Sequence, residues 1–286
     1  MVKFIMSRTN PNSGEFTPTS LVTYLECPRK YYFTKILGLE RRREYDTGIS
    51  GVAKAFGQAI HAGVAEYYKC GKSKDKAIEA FTKTWEIESA GDGDVKRNIT
   101  TGLTIIQEYC KAYSMDSTDY LPQYIEVDGR VEMPNGTVLV GKIDRVGKVG
   151  SQISPHDTKT TGSALTDYYF LKYKTSFQMF AYVYIIQQIL GHCDSVVVDG
   201  ILVPYTKGKD CFIRRSFFIP EIAMMEWVNT YCIITWQIHK NLGLEEQPRV
   251  DSFYQNQNSC GNYGGCQFIE ICSNGFNHPA MQEFER

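Results

Sequence analysis

Apolar positions early in the chain recur at the three- and four-residue spacing of helices, and from Gln123 they switch to the alternation of strands. Residues 1–18 read as a loose leader ending in Thr17-Pro18-Thr19-Ser20, which can cap a helix beginning near Leu21 and cut short by Pro28. The basic stretch Arg41-Arg42-Arg43 and the glycines Gly48, Gly51 and Gly57 mark a flexible passage. Helical spacing then continues through 59–68, 74–87 and 94–113.

Beyond Gln123, residues 124–127 and 137–140 read as strands joined by a turn at Pro134-Asn135-Gly136. Two further strands end at Val149 and near Thr160, with a hairpin turn over Gly147-Lys148-Val149-Gly150-Ser151. Asp144 and Asp157 are therefore expected on adjacent antiparallel strands. A long helix over 167–190, strands at 195–204 and 211–219 about a Lys207-Gly208-Lys209 turn, and a last helix over 221–241 complete the regular pattern. From Gln247 the chain is rich in Asn, Gln, Gly and Cys. The expectation is one α/β domain of 286 residues: a helical arm at 20–120, a core at 121–245 and a cysteine-bearing tail at 246–286.

Composition changes this picture little. Hydrophobic residues make up 43% and aromatics 13%, with 19 tyrosines, which fits a packed globular protein and excludes a disordered chain. With 31 basic against 32 acidic residues, any nucleic-acid footprint has to be local. No apolar run suits a bilayer, and the first residues, with Lys3 and Arg8, lack a signal-peptide pattern, so a cytoplasmic protein of a bacterial, archaeal or phage-infected cell is expected. In that compartment nine cysteines are free thiols or metal ligands rather than disulfides.

The candidate chemistry lies at Asp144, Asp157 and Lys159. Two carboxylates can hold a hard divalent cation, and a nearby ammonium can orient water or stabilise charge developing on a phosphate, which is what phosphodiester hydrolysis requires. Gln178 and Tyr182, four apart on the following helix, share one face, and His61 follows Gly57 on an earlier helix.

The ordered set Gly57-x-x-x-His61, Gly141-x-x-Asp144-Arg145, Asp157-x-Lys159-Thr160 and Gln178-x-x-x-Tyr182 resembles the RecB-like branch of the PD-(D/E)XK nuclease superfamily over about residues 20–272. The resemblance implies a restriction-endonuclease-like core, a mixed sheet flanked by helices in the order α-β-β-β-α-β. It implies His61, Asp144, Asp157 and the backbone carbonyl of Thr158 as Mg or Mn ligands, Lys159 as the residue positioning or activating water, and Gln178 and Tyr182 facing DNA or the site. The chemistry would be in-line attack of an activated water on phosphorus, with charge on the non-bridging oxygen neutralised by the cation.

Cys260, Cys266 and Cys272 stand in the glycine-bearing tail, and Cys27 stands in Cys27-Pro28-Arg29-Lys30-Tyr31. That segment resembles the Cys-Pro-Arg-x-Tyr of iron-sulfur members of the same branch, among them helicase-nuclease subunits and CRISPR-associated RecB-like exonucleases. In those members one N-terminal and three C-terminal cysteines hold a 4Fe-4S cluster. The five-residue gap between Cys260 and Cys266, where two is usual, leaves zinc as the alternative, since four thiolates suit it equally.

Arg41, Arg42, Arg43, Lys172, Lys174, Arg214 and Arg215 are candidate phosphate contacts, with Tyr168, Tyr169 and Tyr173 as stacking faces for single strands. The expectation is a Mg- or Mn-dependent deoxyribonuclease in recombination, repair or phage DNA metabolism, and the resemblance to the iron-sulfur members implies an exonuclease on DNA ends or single strands. The alternative is a DNA-binding subunit of a helicase or integrase complex whose cutting depends on a partner.

Overall fold

Thr17 opens the first helix as its sequence predicts. Its Oγ1 accepts from the Ser20 N–H at 3.1 Å, and Ser20 Oγ accepts from the Thr17 N–H at 3.1 Å, so two free donors at the helix start are satisfied reciprocally. The computed structural model describes residues 14–42, 45, 49–89, 91, 93–243, 250–262 and 265–285; Arg43, Gly48 and the leader before Gly14 lie outside them. In chain order the elements begin with β1 (Glu15–Phe16), α1 (Pro18–Glu26), α2 (Pro28–Tyr31), a π-helical turn (Tyr32–Ile36), β2 (Glu40–Arg41), α3 (Ile49–Lys69), α4 (Lys74–Glu88) and α5 (Ile99–Ala112). They continue with β3 (Asp119–Glu132), β4 (Val138–Val149), β5 (Gln152–Thr161), α6 (Asp167–Leu171), α7 (Phe177–Leu190), β6 (Ser195–Leu202), β7 (Phe212–Phe218), α8 (Glu221–Leu242), α9 (Ile269–Asn274) and β8 (Phe284–Glu285). Together they make a mixed α/β protein, and the chain divides into two compact units.

One unit comprises residues 46–129 and 142–221. Its strands lie in the order β4-β5-β6-β7, and β3 pairs with β4. The β4–β5 and β6–β7 ladders are antiparallel, whereas β5 and β6 are parallel and need the crossover that α6 and α7 supply. The apolar run of β6 buries Val196, Val198 and Ile201, as befits a strand covered on both faces. Helix α7 is apolar nearly all round and buries Met179, Ala181, Val183, Ile185 and Ile186 before Gly191, at φ 85°, ends it. Helices α3, α4 and α5 share a core of Phe56, Ile60, Val64, Phe81, Trp85, Ile105 and Ile106, which takes in Ile201 and Val203.

The other unit comprises residues 1–45, 130–141 and 222–286, and here β1 pairs in parallel with the start of β4 through Glu15↔Val138 and Phe16↔Leu139. The tail packs on the N-terminal helices. Phe253 lies among Tyr24, Tyr31 and Tyr32, while Phe33 meets Phe268 and Phe276 edge-on. Polar bonds fix the register: Arg29 Nε donates to Phe253 O at 2.8 Å, and Asn256 Nδ2 and Ser259 Oγ both donate to Glu26 O at 2.7 Å.

Several boundaries differ from the sequence expectation, each for a local reason. Gly51 and Gly57 lie inside α3 rather than in a flexible passage; a Cβ on Gly57 would stand 3.4 Å from Thr160 Oγ1, so the glycine permits the helix to approach β5 closely. Helix α5 starts at Ile99, not at Asp94, because the Asp94 carboxylate accepts from the Lys96 and Arg97 N–H groups in a turn and Asn98 is the N-cap. The expected strands at 137–140 and up to Val149 are one continuous strand, β4. The helix expected over 167–190 is broken, since Tyr173, Lys174 and Ser176 bond three residues back and Ser176 is extended. The break lets Phe170 turn onto Gly200 of β6, where a Cβ would clash with the ring at 2.8 Å.

Candidate active site

The two carboxylates sit where a ladder ends. Pairing between β4 and β5 runs from Val149↔Gln152 to Arg145↔His156, one step short of Asp144 facing Asp157. The Thr158 N–H is left without a strand partner on that side, and Asp144 Oδ2 accepts it at 2.8 Å. A side chain thus completes the backbone hydrogen bonding and is fixed by it. From α3, His61 Nδ1 reaches the same Asp144 Oδ2 at 3.1 Å.

Asp157 and Lys159, two apart on β5, project to one face. Lys159 Nζ donates to Asp157 Oδ1 at 3.1 Å and lies 2.8 Å from Oδ2, which makes no hydrogen bond although the residue is 1% exposed. Lys159 Nζ also donates to Gln178 Oε1 at 3.1 Å, and Gln178 Nε2 donates to Tyr182 Oη at 2.9 Å. The i, i+4 pair on α7 therefore aims the ammonium. All five side chains expected to act together, with His61, are brought to one place in one unit.

The electrostatics are unequal. Burial works against charge on Asp144, but His61, Lys159 and the Thr158 N–H outweigh it and hold the carboxyl well below the usual carboxylate range. Burial pushes Asp157 up, and the neighbouring Asp144 adds to this against the pull of Lys159. Burial would lower His61 and Lys159, yet their carboxylate partners leave both raised. The donors fit a divalent cation: among the described residues, His61, Glu126 and Asp144 each offer an atom within 4.8 Å of the others, and the Asp157 carboxylate lies on the adjacent strand.

Behind the site Arg145 is 1% exposed. Its Nη1 donates to Thr158 Oγ1 at 2.8 Å, and its Nη2 donates to Asp199 Oδ2 at 3.0 Å. Asp199 also accepts from the Tyr109 and Tyr113 hydroxyls and from Arg214 Nε.

A profile describing the PD-(D/E)XK nuclease superfamily matches residues 15–205, more than half of the chain and all of this site. The chain belongs to that superfamily. A crystal structure described as "Putative exonuclease" from Eubacterium rectale is similar to this nuclease-superfamily chain with a TM-score of 0.50 and 13% identity, over 84% of this chain and 85% of that one. At that identity the likeness speaks for the fold. The crystal structure of SSO0001 is similar over 82% of this chain and 79% of that one, at 12% identity and a TM-score of 0.37. A comparison with curated proteins yields no significant match.

The expected phosphate contacts fall in different settings. Lys172 caps the rings of Tyr169 and Tyr173 at 4.3 and 5.0 Å, Lys174 is exposed, and exposed Arg215 lies 3.1 Å from Asp167. Arg214 is instead committed to Asp116 at 2.5 Å and Asp199 at 3.2 Å, with its guanidinium over Tyr113. Arg41 pairs with Glu283 at 2.6 Å in the β2–β8 ribbon, where the Arg42 N–H also donates to Glu283 O, and Arg43 lies outside the described residues. Cys27, Cys260, Cys266 and Cys272 belong to one unit. Cys27 Sγ accepts from the Asn256 N–H at 3.5 Å, and burial pushes Cys272 up to about 11, with Cys266, Cys27 and Cys260 near enough to add to the shift. Among the described residues no helix is long and apolar enough to cross a membrane.

Glu126 is the residue the sequence reading missed. It lies on β3 at φ 54°, ion-pairs with Lys142 and joins His61 and Asp144. An acidic residue in a strand reads as a solvated face, and nothing in its neighbours signals otherwise.

Proposed function

We propose that this nuclease-superfamily chain is a Mg- or Mn-dependent deoxyribonuclease, acting as an exonuclease on DNA ends or single strands in cytoplasmic recombination, repair or phage DNA metabolism. The observation that carries the reading is the Lys159 ammonium held between Asp157 and Gln178, beside the Asp144–His61 pair. A cation held by His61, Asp144, Asp157 and the Thr158 carbonyl would supply Lewis-acid polarisation of the phosphate. The residues themselves do the rest. Lys159 orients water and offers positive charge where the phosphate gains negative charge. Gln178 and Tyr182 keep that ammonium aimed, and the Thr158 N–H fixes the Asp144 rotamer.

Lys172, Lys174 and Arg215 are the phosphate contacts on this unit, with exposed Tyr168 as a stacking face. The description of the Eubacterium rectale protein as an exonuclease points the same way. Cys27, Cys260, Cys266 and Cys272 would hold a 4Fe-4S cluster, with zinc as the alternative; the Asn256 N–H on Cys27 Sγ is the kind of bond that tunes such clusters. Its role would be structural, joining the N-terminal helices to the tail.

The test is degradation of end-labelled single- and double-stranded linear DNA, beside closed circular DNA, with Mn or Mg, by anaerobically purified protein. Cleavage confined to linear DNA supports the exonuclease, and the released label gives its polarity. Cleavage of circles argues for an endonuclease. Binding without cleavage favours the alternative, a DNA-binding subunit of a helicase or integrase complex that cuts only with its partner.

A further inference from the structure

Glu126 occupies a backbone conformation that a side-chain-bearing residue adopts at a cost. A φ of 54° inside a strand brings Cβ close to the following carbonyl oxygen. The conformation delivers the carboxylate to His61 and Asp144, with one ligand atom of each of the three inside 4.8 Å. Asp157 on β5 is a third carboxylate beside Asp144, nearly fully buried, with its Oδ2 turned to the Lys159 ammonium at 2.8 Å. Lys159 faces Asp157 and His61 faces Asp144, so Glu126 draws its positive charge from elsewhere.

Lys142 provides part of it. Its ammonium pairs with Glu126, but its side chain is 56% exposed against 25% for Glu126. An ion pair so open to solvent is weak, so it yields easily to a doubly charged competitor. Hard divalent cations take about six ligands, and an extra carboxylate replaces a water in that shell.

We propose that Glu126 is a further ligand of the catalytic divalent cation, and that Lys142 is a placeholder which neutralises Glu126 until the cation arrives. The inference rests on the cation site of the proposed nuclease and extends it by one strand, β3, and by a residue outside the family-like motifs.

Calorimetric titration of Mn2+ into the purified full chain tests it without relying on activity. Wild type, Glu126→Gln, Lys142→Gln and Asp144→Asn are compared, with the thermal midpoint in EDTA reporting on folding. Glu126→Gln is expected to weaken Mn2+ at least tenfold while keeping the metal-free midpoint, and Lys142→Gln to bind Mn2+ as tightly as wild type or more so. If Asp144→Asn loses Mn2+ while Glu126→Gln binds as wild type does, the role of Glu126 is overturned and the site stands. If Glu126→Gln and Lys142→Gln weaken binding alike, Glu126 acts only through its ion pair, and the inference falls. If folded wild type binds no Mn2+, the site reading fails together with it.

Discussion

Lys159 Nζ on β5 stands 3.1 Å from Gln178 Oε1 on α7, so the ammonium is fixed from two elements, strand and helix. Removing Gln178 leaves Asp157 as the remaining anchor and frees the ammonium to rotate. Gln178→Ala is expected to slow cleavage by about tenfold to a hundredfold, the usual cost of losing such a supporting bond, with KM for DNA little changed. Steady-state kinetics on a labelled oligonucleotide checks this; a change in KM alone would mean that Gln178 contacts DNA and does not aim the lysine.

Arg145 and Asp199 form an ion pair with both side chains at or below 1% exposure. Breaking such a pair strands a buried charge, and here Thr158 loses its Oγ1 partner as well. Arg145→Met is expected to destabilise the protein by about 3 kcal/mol, read as a lower midpoint in urea. An unchanged midpoint would mean that Arg214 and the two tyrosine hydroxyls suffice for Asp199.

Much of this was legible in the sequence. The strand alternation placed Asp157 and Lys159 on one face, and the four-residue step placed Gln178 over Tyr182. What escaped depends on contacts between distant segments. Arg214 reads as a surface cation beside Arg215, yet Tyr68, Tyr109 and Tyr113 from two helices enclose it against Asp199. Glu126 reads as a solvated strand residue because neither its left-handed backbone nor its approach to His61 is encoded by neighbouring residues. The break between α6 and α7 accompanies the seating of Phe170 on Gly200, a contact that helical periodicity cannot anticipate.

Asp116 links acid stability to the Arg214 network. Burial opposes its charge, but Arg214 at 2.5 Å and the Thr118 N–H at 3.0 Å outweigh this and bring its pKa down to about 2 from an ordinary 3.8. A depressed carboxylate stabilises the fold above the ordinary value and loses that contribution as pH falls from 3.8 toward 2. Asp116→Asn is expected to cost on the order of 2 kcal/mol at pH 7 and to lose less stability than wild type between pH 4 and pH 2. Urea midpoints of both proteins across that range check it, and parallel curves would contradict it.

The four cysteines make a separate prediction. Cys266→Ala is expected to lower the thermal midpoint and to remove the brown colour of anaerobically purified protein. Metal analysis separates iron from zinc. A wild type that is colourless, zinc-free and as stable as the variant would contradict a metal centre in the tail.

The most direct measurement of the central claim is the cleavage rate of Lys159→Ala beside wild type, on linear DNA with Mn, with circular dichroism recorded on both. The account predicts a folded variant with cleavage abolished. A folded Lys159→Ala that cuts at the wild-type rate would contradict the assignment of this site as the catalytic centre.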